Sequence, residues 1–201
     1  MAYTRSPARR DDAALPNSAA RHALLEAFAK LALSRRYRDF GVEAVIRSAN
    51  VARSTFYYHF SGKDELLLQN LQPFIAALAD MPFTAQPSNE LQHWVAHIWQ
   101  QRHAACRLLD GTTGRKIEAA LVDRLNESFA ARRLPDDHRR PLLAHQIAGA
   151  SLSLLKAWVN HLVTATAPDI ACNLWQSAIS IGSDQFGDTI LIRHAELQST
   201  I

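Results

Sequence analysis

Glycine is scarce in this chain, with seven in 201 residues, and cysteine is nearly absent, Cys106 and Cys172 being the only two. Two thiols that far apart and in no motif supply neither a disulfide framework nor a zinc-ligand set. No run of about 18 apolar residues occurs, so no membrane-spanning helix is expected. The first twenty residues carry arginines but no apolar stretch of signal-peptide length, and the reducing cytoplasm is the expected compartment. Strict alternation of apolar and polar residues is also rare. What is there instead is Ala and Leu in stripes at three- and four-residue steps, in a chain 48% hydrophobic. That pattern predicts an all-α fold, long enough for one large or two modest domains.

Charge is unevenly spread. Residues 1–63 hold 11 Lys+Arg against 5 Asp+Glu, and the remainder 11 against 14, which together give the net +3. A basic front on an acidic body suits a polyanion at one end only. A chance segregation of solvated charges would look the same, so the motifs must decide.

The most informative stretch is Val42 to Phe60. Glu43 to Ser48 reads as a short helix buried through Ala44, Val45 and Ile46. A tight turn follows at Ala49-Asn50-Val51, where Asn tolerates positive φ. A second helix starts near Ala52. Phe56 and Phe60 share one face of it and anchor it, while Arg53, Ser54, Thr55 and Tyr57 lie away from that anchor. Long or hydrogen-bonding side chains near a helix N-terminus are what a recognition helix needs to reach base edges and phosphates. Two short helices with aromatic anchors also occur in ordinary helical bundles.

The run Asn50-Val51-Ala52-Arg53-Ser54-Thr55-Phe56-Tyr57-Tyr58-His59-Phe60, continued by Ser61-Gly62-Lys63-Asp64-Glu65-Leu66, resembles the DNA-binding head of tetracycline-repressor-type (TetR) regulators. The resemblance extends back through Leu24-Leu25-Glu26-Ala27-Phe28 and Tyr37, and covers about Arg21 to Leu71. Asn50 stands where the turn Gly is more usual, and Gly41 where a Ser or Thr often caps the first short helix. The resemblance implies a three-helix head with a helix-turn-helix, then a helical ligand-binding and dimerisation bundle. The expected division is an arm at 1–16, the head at 17–63 and the bundle at 64–201. It further implies a homodimeric regulator, most simply a repressor, on a near-palindromic DNA operator and released by a small-molecule effector. Arg53, Ser54, Thr55 and Tyr57 are the candidates for base-side contact, and Tyr58, His59 and Lys63 for phosphate. Trp94, Ile98, Leu121, Leu125 and Trp158 are candidate pocket lining.

Outside the head the chain reads as a series of amphipathic helices. One is expected from Lys63 through Met81, bent at Pro73. Another, capped by Ser88 or Asn89, is expected to reach about Leu109. Asp110 to Gly114 reads as a turn; its glycine spacing and lack of a following Lys-Ser/Thr pair exclude a phosphate loop. The longest helix is expected over about 137–163, with Leu143, Ile147, Ala150, Leu154, Trp158 and His161 on one apolar face and Ala148, Leu152, Leu155 and Val159 on another. A final helix is expected from Pro168-Asp169 to about Ser183. Two apolar faces ask for two partners, so these last two helices are the expected dimer interface. His93 and His97 are four apart, a spacing that can hold a metal, but no carboxylate shares their turn. No nucleophile–base–acid set involving these or His145 falls on adjacent turns. No catalytic residue, metal or cofactor is therefore expected. The rival classes are a sequence-tolerant architectural DNA-binding protein and a metal-dependent helical enzyme.

Overall fold

Residues 17–186 are described by the computed structural model, with side chains for 18–183. Among them every regular element is helical. The arm expected at 1–16 and the tail expected to reach Ile201 lie outside these residues.

Helices α1 (Asn17–Ser34), α2 (Val42–Ala49) and α3 (Arg53–His59) make up the head, with a 3-10 turn at Tyr37–Asp39 between the first two. Leu24, Phe28, Val45, Phe56 and Phe60 fill its centre, each no more than 2% exposed. Phe28, Tyr37 and Phe40 meet edge to face in a closed triangle with centroids 5.8–6.3 Å apart, the arrangement that ring quadrupoles favour. Gly41 precedes α2 without any side-chain cap, as its lack of a side chain requires.

Helix α4 (Lys63–Asp80) leaves the head and runs on through Pro73. It packs on α1, on α5 (Asn89–Gln100) and on α7 (Gly111–Ala131). A 3-10 turn at Met81–Phe83 ends it. Ser88 caps α5, its Oγ accepting the Leu91 N–H at 3.1 Å, which satisfies one of the orphan donors of the first turn.

On either side of α6 the boundaries differ from the sequence reading. The helix expected to reach Leu109 breaks at Gln101 (φ −104°, ψ 25°), and α6 (Arg102–Leu109) starts afresh. The Gln101 N–H closes α5 on His97 O at 3.0 Å, and its own carbonyl opens α6 by accepting from Ala104 and Ala105. The new direction lets α6 pack on α7 and α8. No Pro or Gly marks the break, so periodicity passes straight through it. Conversely, the turn expected at Asp110 to Gly114 is the start of α7. Gly111 takes the bend at φ +61°, and Gly114 lies so close to α6 that a Cβ there would stand 1.9 Å from the Leu109 carbonyl oxygen.

Helix α8 (Arg139–Val159) is shorter than expected at both ends, and at 21 residues it equals α7. Asp137 precedes it and accepts the Arg139 N–H at 2.9 Å. His161 lies past the helix in the left-handed region, φ 59°. Helix α9 (Ala167–Phe186) opens on a reciprocal cap: Thr166 N–H donates to Asp169 Oδ2 at 3.0 Å and Asp169 N–H to Thr166 Oγ1 at 3.3 Å. These bonds, led by the Thr166 hydroxyl, hold the Asp169 carboxyl below its usual range. Both apolar faces of α8 find partners inside the same chain, on α6, α7 and α9. Leu143, Ile147 and Trp158 from one face and Ala148, Leu152, Leu155 and Val159 from the other are all buried. The face left outward is narrower, with Leu142 and Ala150 exposed and Leu154 half-buried. The count of two greasy faces therefore reflects an interior helix, and is not by itself a reason for a second subunit.

Candidate nucleic-acid interface

The turn between α2 and α3 hangs on Asn50. Its backbone is left-handed (φ 52°, ψ 48°) and its N–H bonds back to Arg47 O, while Val51 N–H reaches Ile46 O, each at 3.3 Å. This is how a helix closes on a residue of positive φ, and Asn is the side chain besides Gly that takes it at small cost. Helix α3 then leaves at an angle and is pinned by Phe56 and Phe60, 0% and 2% exposed.

The opposite side of α3 faces outward. Arg53 and Ser54 are exposed, Tyr57 and Tyr58 are 49% and 72% exposed, and Thr55 and His59 are half-buried. Two large aromatic side chains standing out of a helix end are unusual for a surface with no partner, since each leaves apolar area in water. Arg53 is held in place: it pairs with Glu43 of α2, and its guanidinium lies 5.3 Å from the Tyr57 ring centroid, with Nη2 3.4 Å from the Tyr57 hydroxyl. To grip a guanine, Arg53 must exchange Glu43 for O6 and N7. The His59 ring packs between Tyr58 and Phe60, and its buried Nε2 has no hydrogen-bond partner.

Lys63 points differently from the other candidates. Its Nζ donates to the Tyr37 and Phe40 carbonyls, both at 2.6 Å, and sits 4.0 Å from the Tyr37 ring centroid. Burial lowers its pKa against the opposing pull of Asp64. Two of its three N–H donors thus tie the 3-10 turn to the start of α4, which leaves one for a phosphate. Next to it, Asp64 accepts from the Tyr37 hydroxyl and, at 2.5 Å, from Lys116 of α7. The Lys116 and Tyr37 donors hold the Asp64 carboxyl below its usual range, and burial followed by the Asp64 contact raises the Tyr37 phenol. Glu65 turns back to the end of α3, where the Ser61 N–H and hydroxyl donate to it at 2.7 and 2.8 Å and lower its pKa. The inward roles of Lys63 and Asp64 were not visible in the sequence, because their partners Phe40 and Lys116 are distant along the chain.

The model of bacterial regulatory proteins of the tetR family matches residues 24–69, which run from within α1, through the turn at Asn50 and all of α3, into α4. The chain therefore carries a TetR-type DNA-binding head. The matched residues are its DNA-binding part, and its function at that level is DNA-binding regulation of transcription. No curated protein matches the sequence. Among solved structures it is similar to the dihydroxyacetone kinase operon activator DhaS, at 16% identity over 83% of this chain and 96% of that one, with a TM-score of 0.47. Among the described residues no helix is long and apolar enough to cross a membrane, and no group of three His, Cys, Asp or Glu side chains could hold a metal. His93 and His97 stack with centroids 6.4 Å apart, His93 exposed and His97 half-buried.

Behind the head lies a cavity of about 210 Å³. Its walls are α1, α4, α5 and α6, with Ile117 of α7 at one end. Trp94 and Ile98 line it. Leu121 and Leu125 do not: they are fully buried packing between α7 and its neighbours. Trp158 is not in the lining either. It stacks on Trp99 at 4.6 Å and donates its indole N–H to Ala165 O at 2.9 Å. Apolar spacing marks which side chains are inside, but not which of them border a void. The contributions of Phe28, Ala32 and Leu33 from α1 escaped notice because that helix reads as wholly committed to the head.

Proposed function

We propose that the chain acts as a homodimer that binds a near-palindromic operator through two copies of α3 and lets go of it when a small molecule occupies the body. The observation that carries this reading is the division of α3, with Phe56 and Phe60 buried and Arg53, Ser54, Tyr57 and Tyr58 outward, beside a left-handed turn that sets its angle. A helix presented in this way fits the major groove, where Arg can take a guanine edge in bidentate fashion. Two heads reach successive major grooves when they stand about 34–36 Å apart. The outward strip of α8, with Leu142 and Ala150 exposed and the small residue Gly149 half-buried between them, supports a two-fold packing of helices.

Selecting bound sequences from a random DNA pool tests the reading. A near-palindrome with half-sites one helical turn apart is the expected product, and an unbiased pool would instead favour the sequence-tolerant architectural class. On the selected site, Arg53→Ala and Thr55→Ala should each weaken binding about tenfold or more, in line with about 1–3 kcal/mol per base contact. Binding left intact in both variants would remove α3 from the groove. Lys63→Ala separates its two roles. Loss of a phosphate contact weakens all sequences alike and flattens the salt dependence, whereas loss of the Tyr37 and Phe40 tie lowers the melting temperature at unchanged salt slope.

A further inference from the structure

The cavity between α1, α4, α5 and α6 has a chemistry narrow enough to say what fits it. Its surface is mainly ring and aliphatic carbon, from Phe28, Leu33, Leu71, Phe74, Trp94 and Ile98 among others. No Lys, Arg, Asp or Glu lines it, and His97 is its one titratable group. Three polar side chains reach it: Asn70, His97 and Gln101. Asn70 donates its amide to Leu66 O at 2.9 Å, which leaves its Oδ1 to accept a hydrogen bond from an occupant. An ionised guest would leave water without gaining an opposite charge, a loss that a lining of this kind does not offset. A void of about 150 Å³ lined by Leu, Ile and Phe accepts benzene, so about 210 Å³ has room for one ring bearing a short substituent.

The position of the cavity matters as much as its lining. Effector sites that sit wholly within a body must act on a head at a distance. This one has head helix α1 as a wall, through Phe28, Ala29, Ala32 and Leu33. Opposite stand Ala104, Ala105 and Leu108 of α6. A strap joins the two walls at the rim: Arg107 of α6 donates to Leu33 O at the end of α1, at 2.9 Å. Its Nε is buried without a partner, so the strap is under-satisfied and open to exchange. We propose that this cavity receives an uncharged, single-ring aromatic molecule with one hydrogen-bond donor, and that its occupant acts on the DNA-binding head directly, by parting α6 from α1 across the Arg107–Leu33 strap. This rests on the regulator reading above and deepens it.

p-Cresol and benzoate make the test, being similar in size, one neutral and one ionised at pH 7.5. On the full-length protein, p-cresol should bind saturably by calorimetry, with benzoate at least tenfold weaker. Equal binding of the two, or no binding of p-cresol, overturns the ligand class. Ala105→Phe fills the void and should abolish p-cresol binding with helical circular dichroism retained. Ile98→Ala enlarges it and should improve binding of 2-naphthol at least fivefold over the parent protein. If both variants bind as the parent does, the site is elsewhere. With the selected operator, saturating p-cresol should weaken the parent's DNA complex at least tenfold, and the effect should fall at least threefold in Arg107→Ala. An undiminished effect in that variant overturns the strap. A protein that binds p-cresol as stated but selects no DNA sequence refutes the regulator reading and leaves the cavity's chemistry standing.

Discussion

The head and the body of this chain both bury aromatic side chains, but they differ in where the remaining ones stand. In the head, Phe28, Phe40, Phe56 and Phe60 are at most 4% exposed, with Phe28 against Phe40 and Phe56 against Phe60, and the aromatics left out, Tyr57 and Tyr58, are on the proposed DNA-facing side. In the body, Phe129 and Trp158 are as buried as these, but Trp94 and Trp99 are only half-buried, and Trp94 edges, with Phe74 and the head's Phe28, a cavity of about 210 Å³. Close packing around the fully buried Phe56 leaves little room to rearrange there. A wall with space behind it can shift at smaller cost, so the body is where an occupant can change the structure. Polar contacts that join the two regions include Arg107 on Leu33, Arg21 on Gln69, Ser61 on Glu65 and, beside Tyr37, Lys116 on Asp64.

The contrast breaks first at Phe56. It is fully buried and touches both Tyr57 and Phe60, so Phe56→Ala should cost about 3–5 kcal/mol. In urea the variant should lose DNA binding and head structure before the body unfolds. A single shifted transition for the whole chain would show that head and body are one cooperative unit. Gly114→Ala probes the body side. Its new Cβ would meet the Leu109 carbonyl oxygen at 1.9 Å, and pushing α6 off α7 should cost about 1–3 kcal/mol. Because α6 walls the cavity, the same change should alter p-cresol affinity while operator affinity without ligand stays near the parent's. Unchanged thermal stability would mean that the α6–α7 junction yields more readily than its geometry indicates.

The smallest effect is expected at the polar junction. The Asp64 carboxyl lies below its ordinary range because Lys116 and Tyr37 donate to it. Its stabilising contribution is therefore complete above the unfolded aspartate pKa of about 3.9 and is lost as pH falls through the lowered folded value. The Lys116 and Asp64 side chains are 44% and 54% exposed, so Lys116→Ala should cost less than about 1 kcal/mol at neutral pH. It should also move the onset of acid unfolding to higher pH. An acid limb that coincides with the parent's would show that Tyr37 alone sets the Asp64 carboxyl.

What the sequence determined by itself is the all-helical class, the two short helices around Asn50 and the outward side of α3. These depend on local physics: apolar spacing at three and four residues, one side chain that accepts positive φ, and two phenylalanines four apart that fix which side of a helix is buried. Tertiary structure alone decided the break at Gln101, the start of α7 at Gly111, the inward turn of Lys63, and the exclusion of Leu121, Leu125 and Trp158 from the cavity. The last two depend on contacts between residues far apart in the chain, and the break and restart around α6 go with its packing on α7 and α8. Periodicity reports that a side chain is buried, but which neighbours bury it, and whether they leave a gap, is set only when the helices pack.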